Sequence, residues 1–183
     1  MLSISLRRGA RSPALSIAFA ALASLPASAG FVSTTEVGTG TRQATVQIDQ
    51  DDGDSYLFLV RFGSDSFTSW DALLTIDAQL DSFALEFQTY SFGVFLTGIT
   101  IDGDRDFGTG DLWPIPNYWQ FWIDNGSEWE ASMVGAQARV LTSGDADAWV
   151  FGSNAPPQPI PAPAAVIGAL LMMGVSQRRR CVG

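Results

Sequence analysis

Hydrophobic positions in the middle of this chain recur mainly at a spacing of two, the period of a half-buried strand. Thr45-Val46-Gln47-Ile48 alternates and runs into the turn cluster Asp49-Gln50-Asp51-Asp52-Gly53-Asp54. Residues 56–62 follow as a nearly unbroken apolar run. Together they predict a β-hairpin with a long acidic tip, its second strand covered on both faces. One helix signal comes next. Ser66 or Ser69 supplies a cap, Asp71 sits in the first turn, and Trp70, Leu73, Leu74 and Asp77 fit one to two turns. Leu85, Phe87 and Thr89 alternate with Glu86 and Gln88 as a strand. A further strand spans residues 92–101, where Gly93 and Gly98 mark bulges or close backbone approach. Residues 102–116, with three glycines and two prolines, read as a long loop. Trp119, Phe121 and Ile123 then alternate with Tyr118, Gln120 and Trp122. The turn Asp124-Asn125-Gly126-Ser127 leads to a partner strand over residues 128–134. Val140-Leu141, a turn at residues 142–145 and a strand over residues 148–151 complete the pattern, which contains no fixed-period repeat. The expectation is a small, β-rich α+β domain with one short helix.

The two ends have a different grammar. In residues 1–29, Arg7, Arg8 and Arg11 precede an uncharged apolar stretch over residues 14–25 that is too short to span a bilayer. Pro26 and then Ala27-Ser28-Ala29 place small residues where a signal peptidase cuts, which would leave Gly30 as the first mature residue. Residues 156–183 begin with Pro156, Pro157, Pro159, Pro161 and Pro163, a stiff spacer. A run without charge over residues 164–175 and then Arg178, Arg179 and Arg180 follow. Twelve helical residues reach about 18 Å, short of a hydrocarbon core of about 30 Å. The arginines would hold the C-terminus in the cytoplasm and the rest of the chain outside.

This tail resembles the PEP-CTERM sorting signal of Gram-negative-type bacteria in Pro161-Ala162-Pro163, the hydrophobic stretch and the three arginines. Ala162 stands where that signal has glutamate. The resemblance implies an exosortase substrate. Its partners would be signal peptidase and an exosortase-like protease, and it would meet the inner membrane only transiently through the C-terminal helix. It would be exported to the cell surface or extracellular matrix, where exopolysaccharide is a candidate partner.

Composition narrows the chemistry of the domain between these ends, residues 30–155. The 183-residue chain has no histidine and no lysine, and its single cysteine, Cys181, lies beyond the last arginine. Histidine triads, zinc and iron–sulfur sites, Schiff bases and P-loops are therefore excluded, as is a disulfide framework. All nineteen acids fall in residues 30–155 against Arg42, Arg61, Arg105 and Arg139, leaving a formal charge of −15. That balance repels nucleic acid and anionic lipid. What remains is carboxylate chemistry, hard-cation binding or no chemistry.

Three acidic groups qualify. Asp102, Asp104 and Asp106 hold positions 1, 3 and 5 of a calcium-loop pattern. Phe107 and Trp113 occupy its glycine and glutamate positions, so it is not an EF-hand. A looser calcium site there would add Asp111. Asp49, Asp51, Asp52 and Asp54 are turn acids with a second claim on calcium. Glu128 and Glu130 flank Trp129 on one face, without the opposing wall that paired-carboxylate hydrolysis needs. No catalytic residue is assigned, and no cofactor beyond this calcium. Among the six tryptophans, Trp119 and Trp149 pack with Phe121 as core. Trp113, Tyr118 and Trp122 are the candidates for an exposed aromatic ligand face.

From about residue 67 to 152 the order of features also resembles the transcobalamin C-terminal-like family, a domain of unknown function. The resemblance rests on Trp70-Asp71-Ala72-Leu73, residues 94–99, Trp119-Gln120-Phe121-Trp122-Ile123-Asp124-Asn125-Gly126, Gly135-Ala136 and residues 141–151. It implies a small β-grasp-like fold. Cobalamin binding is not implied, because the large helical domain that completes that site in transcobalamin is absent from this sequence. The resulting expectation is a secreted, non-enzymatic surface or matrix protein. The alternative is a small-ligand, carbohydrate or calcium-binding module.

Overall fold

The hairpin expected from the acidic cluster is present. In the computed structural model, which describes residues 30–91, 93–112 and 116–159, β2 (Arg42–Asp49) and β3 (Ser55–Phe62) pair antiparallel. Residues 50–54 form the tip. Gln50 N–H donates to Asp54 O at 2.9 Å and Gly53 N–H donates to Gln50 O at 3.2 Å. Tyr56, Phe58, Val60 and Phe62 are buried along one face of β3. The other face is only partly covered, with Leu57 and Leu59 half-buried and Arg61 exposed. This corrects the expectation of a strand enclosed on both sides. β3 is nevertheless interior to its sheet, because β1 (Phe31–Gly38) runs parallel along its outer edge. β1 has little apolar periodicity, and only Val37 is buried in it. Its place is fixed by the ladder to β3, by an ion pair between Glu36 and Arg61, and by a tight exit at Gly38. A Cβ on Gly38 would stand 2.2 Å from Arg61 O, and its φ of 78° disfavours a side chain.

The helix α1 (Ser69–Gln79) has eleven residues, a turn more than the pattern suggested. Its cap is Thr68 rather than either serine. Thr68 and Asp71 form a reciprocal capping box, with Asp71 N–H donating to Thr68 Oγ1 at 3.1 Å and Thr68 N–H to Asp71 Oδ2 at 2.9 Å. Trp70, Ala72, Leu73 and Ile76 face the core, and Leu74 points outward.

A three-stranded antiparallel sheet follows: β4 (Phe83–Tyr90), β5 (Gly93–Ile101) and β6 (Asp104–Phe107). The β4–β5 register shifts between Glu86 and Phe87, opposite Gly98 and Leu96, so the expected bulge is there. The expected loop over residues 102–116 instead opens with β6. Asp102 and Gly103, at φ 53° and 92°, make a two-residue hairpin turn of the kind that Asp-Gly favours.

The remaining strands are β7 (Trp119–Asp124), the short β8 (Trp129–Ala131) and β9 (Ala146–Phe151). The larger sheet has the order β1-β3-β2-β9-β7-β8, with β9 parallel to β2 and antiparallel to β7. One apolar cluster lies between this sheet, α1 and the smaller sheet. Phe58 and Phe83 meet across the two sheets edge to face at 5.6 Å. Trp119, Phe121 and Trp149 belong to that cluster, as expected. The described residues are therefore mostly β-sheet with one short helix. Among the described residues no helix is long and apolar enough to cross a membrane.

Candidate functional site

The two acidic segments lie about fifty residues apart in sequence, yet the fold brings them to one end of the molecule. The tip of the β2–β3 hairpin meets the β5–β6 turn. Asp51 N–H donates to Asp106 Oδ2 at 3.0 Å, and Gln50 Nε2 donates to Asp104 O at 3.4 Å. Asp54 N–H donates to Asp52 Oδ1 at 2.8 Å, which folds the tip on itself. Tyr56 senses the crowd: burial first, then the charges of Asp54, Asp102, Asp52 and Asp104, push its hydroxyl pKa above the usual value. Arg105 sits on β6 but turns away. It pairs with Glu86 through Nε and, at 2.8 Å, through Nη2, and its guanidinium lies 4.4 Å from the centroid of the Phe107 ring.

Within this end the residues differ. Asp102 and Asp104 are exposed and Asp106 is buried. Gln50 is also buried, and its Oε1 has no hydrogen-bond partner among the described residues. Desolvation is the main reason that the Asp106 carboxyl is pushed up to about 6, with Asp51 and Asp104 adding to it and the Asp51 N–H opposing. A carboxyl raised in the folded state binds its proton more tightly there than in the unfolded chain. Its stabilising share is complete below the ordinary value of 3.8 and is lost as pH rises through about 6. We expect the urea midpoint at pH 5 to exceed that at pH 7.5. The Asp106 share over that interval would be about 1–2 kcal/mol, less than the full shift because pH 5 already lies above the ordinary carboxyl value. Asp106→Asn keeps an acceptor for Asp51 N–H and should remove that share; an unchanged pH dependence would refute the assignment.

The other candidates are scattered. Asp111 accepts from Thr109 Oγ1 at 2.8 Å in the following loop. Glu128, just before the edge strand β8, and Glu130, within it, are exposed, and Glu130 accepts from Asn125 Nδ2 at 2.8 Å. Of the expected aromatic face, Trp122 is not exposed. Trp122 is only 8% exposed and packs with Ala148, Val150 and the neighbouring Trp129 on the outer side of the larger sheet. Alternation does place it opposite Phe121, but that face carries its own small cluster. Tyr118 is half-buried, and its hydroxyl donates to Asn154 Oδ1. Trp113 lies outside the described residues, as do Ala27, Ala29, Pro161, Ala162, Pro163, Arg178, Arg179 and Arg180.

A second polar group is not among the candidates that the sequence pattern singles out. Asp147 is fully buried, accepts from Ser69 Oγ, and lies 3.5 Å from Arg139 Nε. Arg139 Nη2 reaches Asp145 at 3.2 Å. Burial raises the Asp147 pKa, against the opposing pull of Ser69 and Arg139. Above this group opens a cleft of about 440 Å³ lined by Asp124, Asn125, Gly126, Arg139, Gly144 and Asp145. The signal was available: Asp147 shares the period-two face of Trp149 and Phe151, a charge where the pattern demands an apolar residue.

Among the described residues no three His, Cys, Asp or Glu side chains come together as ligands for one metal ion. No known family profile matches the chain, and no curated protein is similar to it. Among solved structures, the chain is similar to the crystal structure of a "putative metal binding protein" from Ruminococcus gnavus ATCC 29149. The two are 16% identical with a TM-score of 0.44 over 63% of this chain and 100% of that one.

Proposed function

We propose that this protein is a non-enzymatic module of the bacterial cell surface or extracellular matrix, exported through residues 1–29 and sorted by residues 156–183. Its domain takes calcium weakly at the acidic end. The observation that carries the calcium reading is the meeting of the residue 49–54 tip with the residue 102–106 turn, where a buried Gln50 oxygen has no hydrogen-bond partner among the described residues. Asp106 would supply a carboxylate oxygen, Gln50 an amide oxygen, and water most of the remaining ligands, because no three carboxylates are gathered for one ion among the described residues. The absence of histidine, lysine and cysteine from residues 30–155 supports a non-catalytic role. The arrangement β3-β2-β9-β7, with its central pair parallel and α1 following the hairpin, supports a β-grasp-like reading.

Extracellular modules bind calcium with dissociation constants of about 10⁻⁴–10⁻³ M. At about 5 mM calcium, such a site adds roughly 1–2 kcal/mol, several degrees in melting temperature. Sodium at matched ionic strength screens equally and should give a smaller rise. Replacing Asp102, Asp104 and Asp106 together by Asn should abolish the calcium excess. Equal melting temperatures in the two salts would reduce these acids to solvating charge. A second reading, a small polar ligand such as a carbohydrate, is favoured only by the cleft at Arg139. It predicts that the ligand shifts resonances of Asp124, Asn125 and Asp145 and leaves the acidic end untouched.

A further inference from the structure

The start of the proline-rich segment is not a free spacer. Pro157 is buried, and the segment lies against the base of the β2–β3 tip. Asp49 holds it there. This carboxylate is 1% exposed. Oδ1 accepts from Ser55 Oγ at 2.7 Å and from Gln47 Nε2 at 2.8 Å, and Oδ2 accepts from Gln158 N–H at 2.7 Å. Gln47 Nε2 also donates to Gln158 O at 2.8 Å, and Gln158 Nε2 reaches Gly53 O at 3.5 Å. Of residues 156–159 only Gln158 has a backbone N–H, because the other three are prolines. The one backbone donor that the segment can offer is thus spent on a buried carboxylate, the stronger kind of hydrogen bond. Loss of this bond would leave a buried charge short of a partner, so the contact resists casual opening.

We propose that Asp49 is a latch that seats residues 156–159 on the domain and thereby sets how far the following tail reaches. Pro161 is three positions after Gln158, so a closed latch limits its reach to about 11 Å from the seat of Gln158 on the domain. With the latch open as far back as Phe151, the end of β9, Pro161 can stand up to about 35 Å away. A latched segment therefore shortens the free chain between the domain and whatever follows residue 159, and an open one lengthens it, which is what a protease acting on the tail would sense. Asp49 acts here as a positioning residue. The consequence for processing rests on the sorting function proposed above; the latch itself does not.

The two are separable by experiment. In purified full-length protein, the Gln158 amide hydrogen should exchange at least ~100-fold more slowly than that of an unstructured glutamine. Asp49→Asn, which offers poorer acceptance to Gln158 while keeping a polar group for Ser55, should cut this protection about tenfold or more. Exchange at the unstructured rate in the wild type overturns the latch, even if the variant does not fold. In the native host, mass spectrometry of the C-terminus should show the tail removed several-fold faster from Asp49→Asn than from the wild type. Faster exchange with unaltered removal overturns the link to processing. A wild-type tail that is never removed overturns the sorting function, and the latch then stands or falls by the Gln158 exchange rate alone.

Discussion

Truncation of Trp149 to alanine is expected to lower the unfolding free energy by about 3–5 kcal/mol. The ring is 6% exposed and stacks on Phe121 across the β9–β7 pair, with centroids 4.6 Å apart and planes at 22°. Neighbouring strands cannot close over so large a void. A domain of this size has about 5–15 kcal/mol in hand, so the variant should be marginal at 37 °C. Trp149→Phe distinguishes packing from polar bonding. The indole Nε1 is buried without an acceptor among the described residues, so replacing it breaks no hydrogen bond. The phenylalanine variant should lose only about 1–2 kcal/mol. Urea midpoints for the two variants check both numbers. A midpoint for Trp149→Ala within error of the wild type would place the ring outside the core.

The next largest effect belongs to Asp147. Removal of one partner from a buried charged group leaves the other uncompensated, at a cost of about 3–5 kcal/mol. Asp147→Ala should approach the lower end of that range, since Arg139 retains Asp145. Asp147→Asn should cost about 1 kcal/mol or less. Burial already favours the protonated form, and an amide imitates that form closely. The sign in pH is fixed as for Asp106. The folded pKa is raised, so the stability contributed by Asp147 is complete below the ordinary carboxyl range and is lost as pH rises through the folded value. The penalty of Asp147→Asn, measured in urea, should therefore shrink or reverse at alkaline pH. A penalty of Asp147→Asn equal to that of Asp147→Ala at every pH would mean that the ionised carboxylate, not its hydrogen-bonding shape, holds Ser69 and Arg139.

Strong periodicity was legible. The β2–β3 hairpin, the β5 bulge at Gly98 and the core role of Trp119, Phe121 and Trp149 follow from alternation and turn residues. β1 was invisible because its residues hardly alternate; it is held by backbone pairing and Gly38, which is information about the partner strand. β6 was lost inside a stretch that its glycines and prolines made loop-like, although Asp102-Gly103 carried the turn chemistry for it. Thr68 lost to the serines because cap residues are chemically interchangeable and only the reciprocal bond to Asp71 distinguishes them. The acidic site was half legible. Each segment stood out alone, but nothing local says that residues 50 and 104 touch. Trp122 marks the opposite limit: alternation assigns a side chain to a face and does not say what else covers that face.

The parallel pairing of β2 with β9 also governs when the domain can exist. β2 lies in the middle of the larger sheet, and Thr45 of β2 stands opposite Ala146 of β9, the last strand among the described residues. Until β9 arrives, β2 and β3 form a hairpin with an open inner edge, and two-stranded ribbons are marginal in water. The chain therefore cannot complete its sheet from the N-terminus as it is made, and closure over so long a separation is slow. The order of synthesis and the order of folding thus differ: the strand that opens the hairpin early waits for residues 146–151 before its inner edge is covered.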